Sequence, residues 1–112
     1  MTSIPSAIPS AFHERAISLD HLHVAEVAWK RADVLEIMAA LKNSNWAVLG
    51  GDVLRSDGQA YRHTYDSWHS DRGDNESAHD FVERSHHETL AYVERYSESG
   101  DVSYVLVFDE CA

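Results

Sequence analysis

Residues 102–108 read VSYVLVF, and this run constrains the fold more than any other segment. β-Branched and aromatic side chains favour a strand. Near-continuous apolarity leaves no face for water, so the strand belongs at the centre of a sheet, buried by helices on at least one face. A chain of 112 residues has room for one domain around such a strand. The expected organisation is a single domain over 1–112 with residues 1–10 irregular, since Pro5 and Pro9 each disfavour helix at the preceding residue.

Residues 11–19 suit a short helix with Phe12, Ala16 and Leu19 turned inward. Val24, Val27 and Trp29 then nearly alternate, as a short strand would. Val34, Leu35, Ile37, Met38 and Leu41 recur at spacings of three and four, which predicts a helix over 32–42. Asn43-Ser44-Asn45 supplies its stop. Residues 46–54, WAVLGGDVL, read as a largely buried strand, in which Gly50-Gly51 signals a bulge or a close backbone approach. Ser56-Asp57-Gly58 is a turn, and residues 59–64 alternate as a returning antiparallel strand. The polar stretch 67–75, SWHSDRGDN, predicts an exposed loop. A long helix is expected over 76–98, with Asn75 as N-cap and Gly100 suited to the left-handed position just past its end. Its apolar stripe is Ala78, Phe81, Val82, Leu90, Tyr92, Val93 and Tyr96, thinned by Ser85 and Thr89. The expected fold class is α+β: a small, mostly antiparallel sheet of three to four strands packed against helices, including one long helix near the C-terminus.

Charge narrows the partners. Nineteen Asp and Glu against nine Lys and Arg give a net charge of −10. Phosphate binding needs a cationic surplus, so nucleic acid and anionic membrane surfaces are disfavoured. A basic protein partner is favoured electrostatically, although acidity also serves solubility alone. No apolar run approaches the roughly 18–20 residues of a membrane span, and residues 1–10 lack the basic and apolar regions of a signal peptide. The single Cys111 forms no intrachain disulfide, suits a reducing compartment, and stands where chain ends fray. These features together predict a cytoplasmic protein.

The eight histidines carry no metal-site spacing. His86 and His87 are adjacent and point about 100 degrees apart on a helix, and His79 lies two turns from His86. No cofactor or metal is expected. His63, Asp66 and His69 form the one grouping that suggests a small metal-dependent or hydrolytic enzyme. The carboxylates of Asp71, Asp74, Glu76 and Asp80 suit a solvated rim or a docking surface for a cationic protein better than acid–base chemistry, which needs carboxyls held in a cleft. Gly50-Gly51 precedes Asp52, which would repel a phosphate. Tyr65-Asp66-Ser67-Trp68 combines two aromatic groups of the kind enriched at interface hot spots. Trp68 either anchors a partner or packs back over the sheet, with Asp66 capping the turn.

The order of these segments carries a resemblance. WAVLGGDVL, a Gly-containing turn, TYDSW (Thr64 to Trp68), a long helix bearing Tyr92 and Tyr96, and YVLVF (Tyr104 to Phe108) resemble immunity protein family 40 of bacterial polymorphic toxin systems. EVAW (Glu26 to Trp29) and the helix after it fit as well, so the likeness spans residues 24–108. Ser67 stands where the family pattern has Asn. The resemblance implies a non-enzymatic protein that binds and neutralises a cognate toxin. It carries no binding residues with it. With the acidity, it leads to a cognate toxin of basic character as partner and to Asp66, Trp68, Asp71, Asp74 and Glu76 as the contact region, Trp68 being the anchor and the carboxylates the steering rim. Oligomeric state stays open.

Overall fold

The computed structural model describes residues 4–96 and 100–111. Their order is α1 (Ala11–Arg15), β1 (Ile17–Ser18), a 3-10 turn (Asp20–Leu22), β2 (Val27–Lys30), α2 (Arg31–Ala40), β3 (Trp46–Ser56), β4 (Tyr61–His69), α3 (Ala78–Arg95) and β5 (Val102–Glu110). The sheet has five strands in the order β1-β2-β5-β3-β4, and every neighbouring pair is antiparallel. The fold is α+β, with β5 at its centre as its apolarity requires.

Five strands replace the expected three to four. The extra one, β1, lies inside the stretch expected to be helical to residue 19. Ala16 turns extended (ψ 134°) and ends α1 at Arg15. Two residues are too few for a strand to show alternation, so only pairing with Val27 and Ala28 reveals it. Residues 67–69 are also strand rather than loop, because Ser67, Trp68 and His69 pair with Asp52, Gly51 and Gly50. β4 is an edge strand whose exposed positions, Tyr65 apart, carry polar residues, and that composition mimics a loop.

One face of the sheet carries the main core. Trp29, Val48, Val53, Val102, Tyr104 and Leu106 pack there against Val34, Ile37, Met38 and Leu41 of α2 and its end, and against Val93 of α3. The buried Trp29 indole N–H donates to the Phe12 carbonyl at 2.8 Å, which ties α1 to the core. On the opposite face Ala28, Leu54 and Val105 are covered by Leu19, with Leu22 and Val24 beside them. The alternation of Tyr104 and Val105, and of Val53 and Leu54, between the two clusters is the period of a strand. Pro5 and Ile8 are also buried, so residues 4–10 contribute to packing without forming helix or strand.

α3 begins at Ala78, and Ser77 rather than Asn75 caps it by accepting from the Asp80 N–H at 3.1 Å. The helix ends at Arg95 with Tyr96 as C-cap, so Gly100 does not occupy the position just after it; Ser99 of the expected stop lies outside the described residues. Ser85 and Thr89 are fully buried. The Ser85 hydroxyl accepts from the Val48 N–H at 3.1 Å and donates to the Val82 carbonyl at 2.9 Å. It satisfies a β3 donor at the bulge where the β3–β5 register shifts between Val48 and Gly50.

Candidate functional site

The candidate surface is built on β4 and the loop that follows. Its position depends on Gly50 and Gly51. A Cβ on Gly50 would stand 2.1 Å from the Trp68 carbonyl oxygen, and one on Gly51 would stand 1.9 Å from the Val105 carbonyl oxygen and 2.6 Å from the Trp68 ring. Only glycine lets β4 and the indole approach β3 this closely. Trp68 then lies over the sheet, stacked on Tyr92 (centroids 4.7 Å, 24°) and edge-on to Tyr104. Its indole N–H donates to the Thr89 hydroxyl at 3.1 Å. The half-buried Trp68 thus joins β4 to α3, with both its ring and its polar tip engaged inside the protein.

Asp66 is exposed and accepts from the Tyr96 hydroxyl at 2.6 Å. That bond, with added burial, holds the Tyr96 phenol above its ordinary pKa. Between these anchors β4 is irregular. Its register with β3 shifts between Asp52 and Leu54, leaving Thr64, Tyr65 and Asp66 opposite Val53 alone. The Thr64 hydroxyl donates to the Val53 carbonyl at 2.8 Å and accepts from the Asp66 N–H at 3.1 Å. Tyr65 takes the left-handed conformation (φ 68°) and is 91% exposed, its ring stacked on His63 at 5.9 Å. Nothing in the sequence separates Tyr65 from Tyr61, which is partly buried. The distinguishing signal is a three-residue bulge that only pairing reveals.

Arg84 organises the loop after β4. Its guanidinium donates to both Glu76 carboxylate oxygens at 2.8 Å, to Glu88 at 2.9 Å, and to the Asp71 carbonyl. The Glu76 carboxylate also accepts from the Gly73 N–H at 2.9 Å. Hydrogen bonding to Arg84 and Gly73 brings the Glu76 pKa down to about 2, and the Glu76 contact pushes Arg84 further up. Glu76 is therefore a loop clamp, whereas Asp71 and Asp74 are exposed. The five expected contact residues fall into two neighbouring groups. Asp66 and Trp68 lie on β4, and Asp71, Asp74 and Glu76 lie on the clamped loop.

His63, Asp66 and His69 do not converge. His63 pairs with Leu54 and His69 with Gly50, six positions apart along an extended strand, or about 15–20 Å. His63 stacks on Tyr65, Asp66 bonds Tyr96, and His69 approaches Asp71 at 3.5 Å. Among the described residues no three His, Cys, Asp or Glu side chains gather as a metal set. Cys111 is not frayed. It is buried against Ala47, Phe81 and Val82, its N–H donates to the Asn45 carbonyl at 2.8 Å, and burial pushes its thiol pKa up. A separate groove of about 410 Å³ lies between α2 and α3, with Met38, Val82 and Leu90 along it and His79, Glu83 and His86 at its sides.

The sequence profile described as Immunity protein 40 matches residues 18–108. The chain belongs to the Immunity protein 40 family. The match takes in β2, α2, β3, β4, α3 and most of β5, and so includes both halves of the candidate surface. α1 precedes it, although Phe12 contributes to the core. No curated protein and no solved structure matches the chain. Membership of the Immunity protein 40 family points to a toxin-neutralising role and to a toxin as partner in general. Among the described residues no helix is long and apolar enough to cross a membrane.

Proposed function

We propose that this protein is the cytoplasmic immunity component of a bacterial polymorphic toxin system and holds a cognate toxin domain inactive by binding it. The family match carries the reading. In its finer form, the acidic surface of β4 and the following loop covers the active site of a basic toxin domain, and the protein performs no catalysis of its own. Asp66, Asp71 and Asp74 present exposed carboxylates. Trp68 and Glu76 support them, the first by fixing β4 to α3 and the second by clamping the loop through Arg84. Charge complementarity of this kind accelerates encounter and is screened by salt.

The test is co-expression with the toxin encoded by the adjacent gene. Wild-type protein should restore growth and form a stable complex with the toxin domain, with an association rate that falls as ionic strength rises. Toxin killing that is unchanged by co-expression would refute the immunity reading. Rescue with a salt-independent association rate would refute the acidic mechanism alone.

A further inference from the structure

We infer that Tyr65, carried outward by the β4 bulge, is the anchor by which this protein grips its toxin. The inference rests on the immunity reading and adds the residue that makes the contact.

Three features single Tyr65 out. It is the one large apolar side chain displayed to solvent among the described residues, at 91% exposure. Tyrosine buries large area at little conformational cost and is enriched at interface hot spots. Its backbone is in the left-handed region, where a bulky residue is a genuine outlier. Such a conformation persists only where surrounding contacts over-determine it, and it clusters at functional sites. Here the Thr64 hydroxyl bonds on one side and the Asp66–Tyr96 bond on the other supply that constraint. The bulge also interrupts the free edge of β4, which argues against strand addition there and leaves a projecting side chain as what the edge offers.

Charge identifies the occupant. Arg62, three residues before Tyr65 on β4, is engaged within the protein with Asp57 at 3.1 Å. The exposed groups of β3, β4 and the following loop include Asp52, Asp66, Asp71 and Asp74. With the exposed Asp66 next to it and Asp52 on the facing stretch of β3, on a chain of net charge −10, the phenol fits a protein surface with an open pocket bordered by Lys and Arg, as a basic toxin domain would offer. The groove between α2 and α3 is the competing location. It offers Lys42, histidines and a single Glu at its sides, a less acidic setting for a basic partner.

The experiment measures affinity for an inactivated form of the adjacent-gene toxin domain by calorimetry, with melting temperature recorded in parallel. Tyr65→Gly and Tyr65→Asn both tolerate the left-handed backbone. Both variants should fold with melting temperatures at or above wild type, yet bind about 30-fold more weakly or worse. Ala39→Arg, which fills the α2–α3 groove, should bind as wild type does. Tyr65 variants that bind within threefold of wild type overturn the proposal, as does loss of binding confined to Ala39→Arg. Failure of both Tyr65 variants to fold also overturns it, because Tyr65 would then be structural. A wild-type protein that neither binds nor protects refutes the immunity reading itself and takes this inference with it.

Discussion

Replacing Gly51 with alanine sets a methyl group 1.9 Å from the Val105 carbonyl oxygen and 2.6 Å from the Trp68 ring. The oxygen belongs to β5, the central strand, and cannot rotate away as a side chain would. Carbon needs about 3.5 Å from a neighbouring heavy atom, so β3 and β5 must separate by more than about 1 Å at this point. Overpacking of this kind costs about 1–3 kcal/mol. Each ladder bond lost in the separation costs about 0.5–1.5 kcal/mol more. A total of about 3–4 kcal/mol is a large share of the 5–15 kcal/mol typical of such a domain, and should lower the melting temperature by about 12–16 °C. Thermal and urea unfolding, followed by the fluorescence of buried Trp29 and half-buried Trp68, measures it. Gly58→Ala is the control: its Cβ meets nothing within 4 Å, and only its left-handed backbone is strained (φ 98°), a cost of about 1–2 kcal/mol. A Gly51→Ala protein as stable as Gly58→Ala would refute the close-approach argument.

Ser85→Ala leaves the buried Val48 N–H without its acceptor and should destabilise the fold by about 1–3 kcal/mol in urea titrations. Ser77→Ala removes the α3 N-cap, at about 1 kcal/mol by the same measurement, and should increase amide exchange in the first turn of the helix. Acidification should release the loop clamped by Arg84. The Glu76 pKa is lowered from 4.5 to about 2 on folding, so its stabilising contribution is complete above about pH 4.5 and is lost as pH falls towards 2. Asp57, lowered from 3.8 to about 2, contributes with the same sign in an overlapping window. Amide exchange of residues 70–77 should rise across that range, and Glu76→Gln should abolish most of the change.

The centre of the fold was legible because its cause is local. The apolar run 102–108 is buried on both faces and says so without reference to any other segment. Gly50-Gly51 likewise announces a close approach, though not what approaches. The edges were less legible. β1 and the last residues of β4 are strands only through their partners, and the polar residues of an edge match those of a loop. Ser85 and Thr89 thin the apolar stripe of α3 by composition, yet they are buried because the Val48 N–H and the Trp68 indole need acceptors there. At the candidate site the acidity was readable. The division between the clamped Glu76 and the exposed Asp71 and Asp74 was not, since it depends on Arg84, eight residues further on. The exposure of Tyr65 depends on three β4 residues facing one of β3, a mismatch that belongs to the pair of strands.

The strand order has a consequence for synthesis. β5 is the last of the five strands to leave the ribosome, yet it joins β2 on one side to β3 on the other. Until it emerges, the nascent chain can pair β1 with β2 and β3 with β4, but these two ribbons share no ladder. Isolated two-stranded ribbons are marginal in water. The sheet is therefore completed in one step when β5 emerges, and chains truncated before Val102 should be substrates for proteases rather than folded domains.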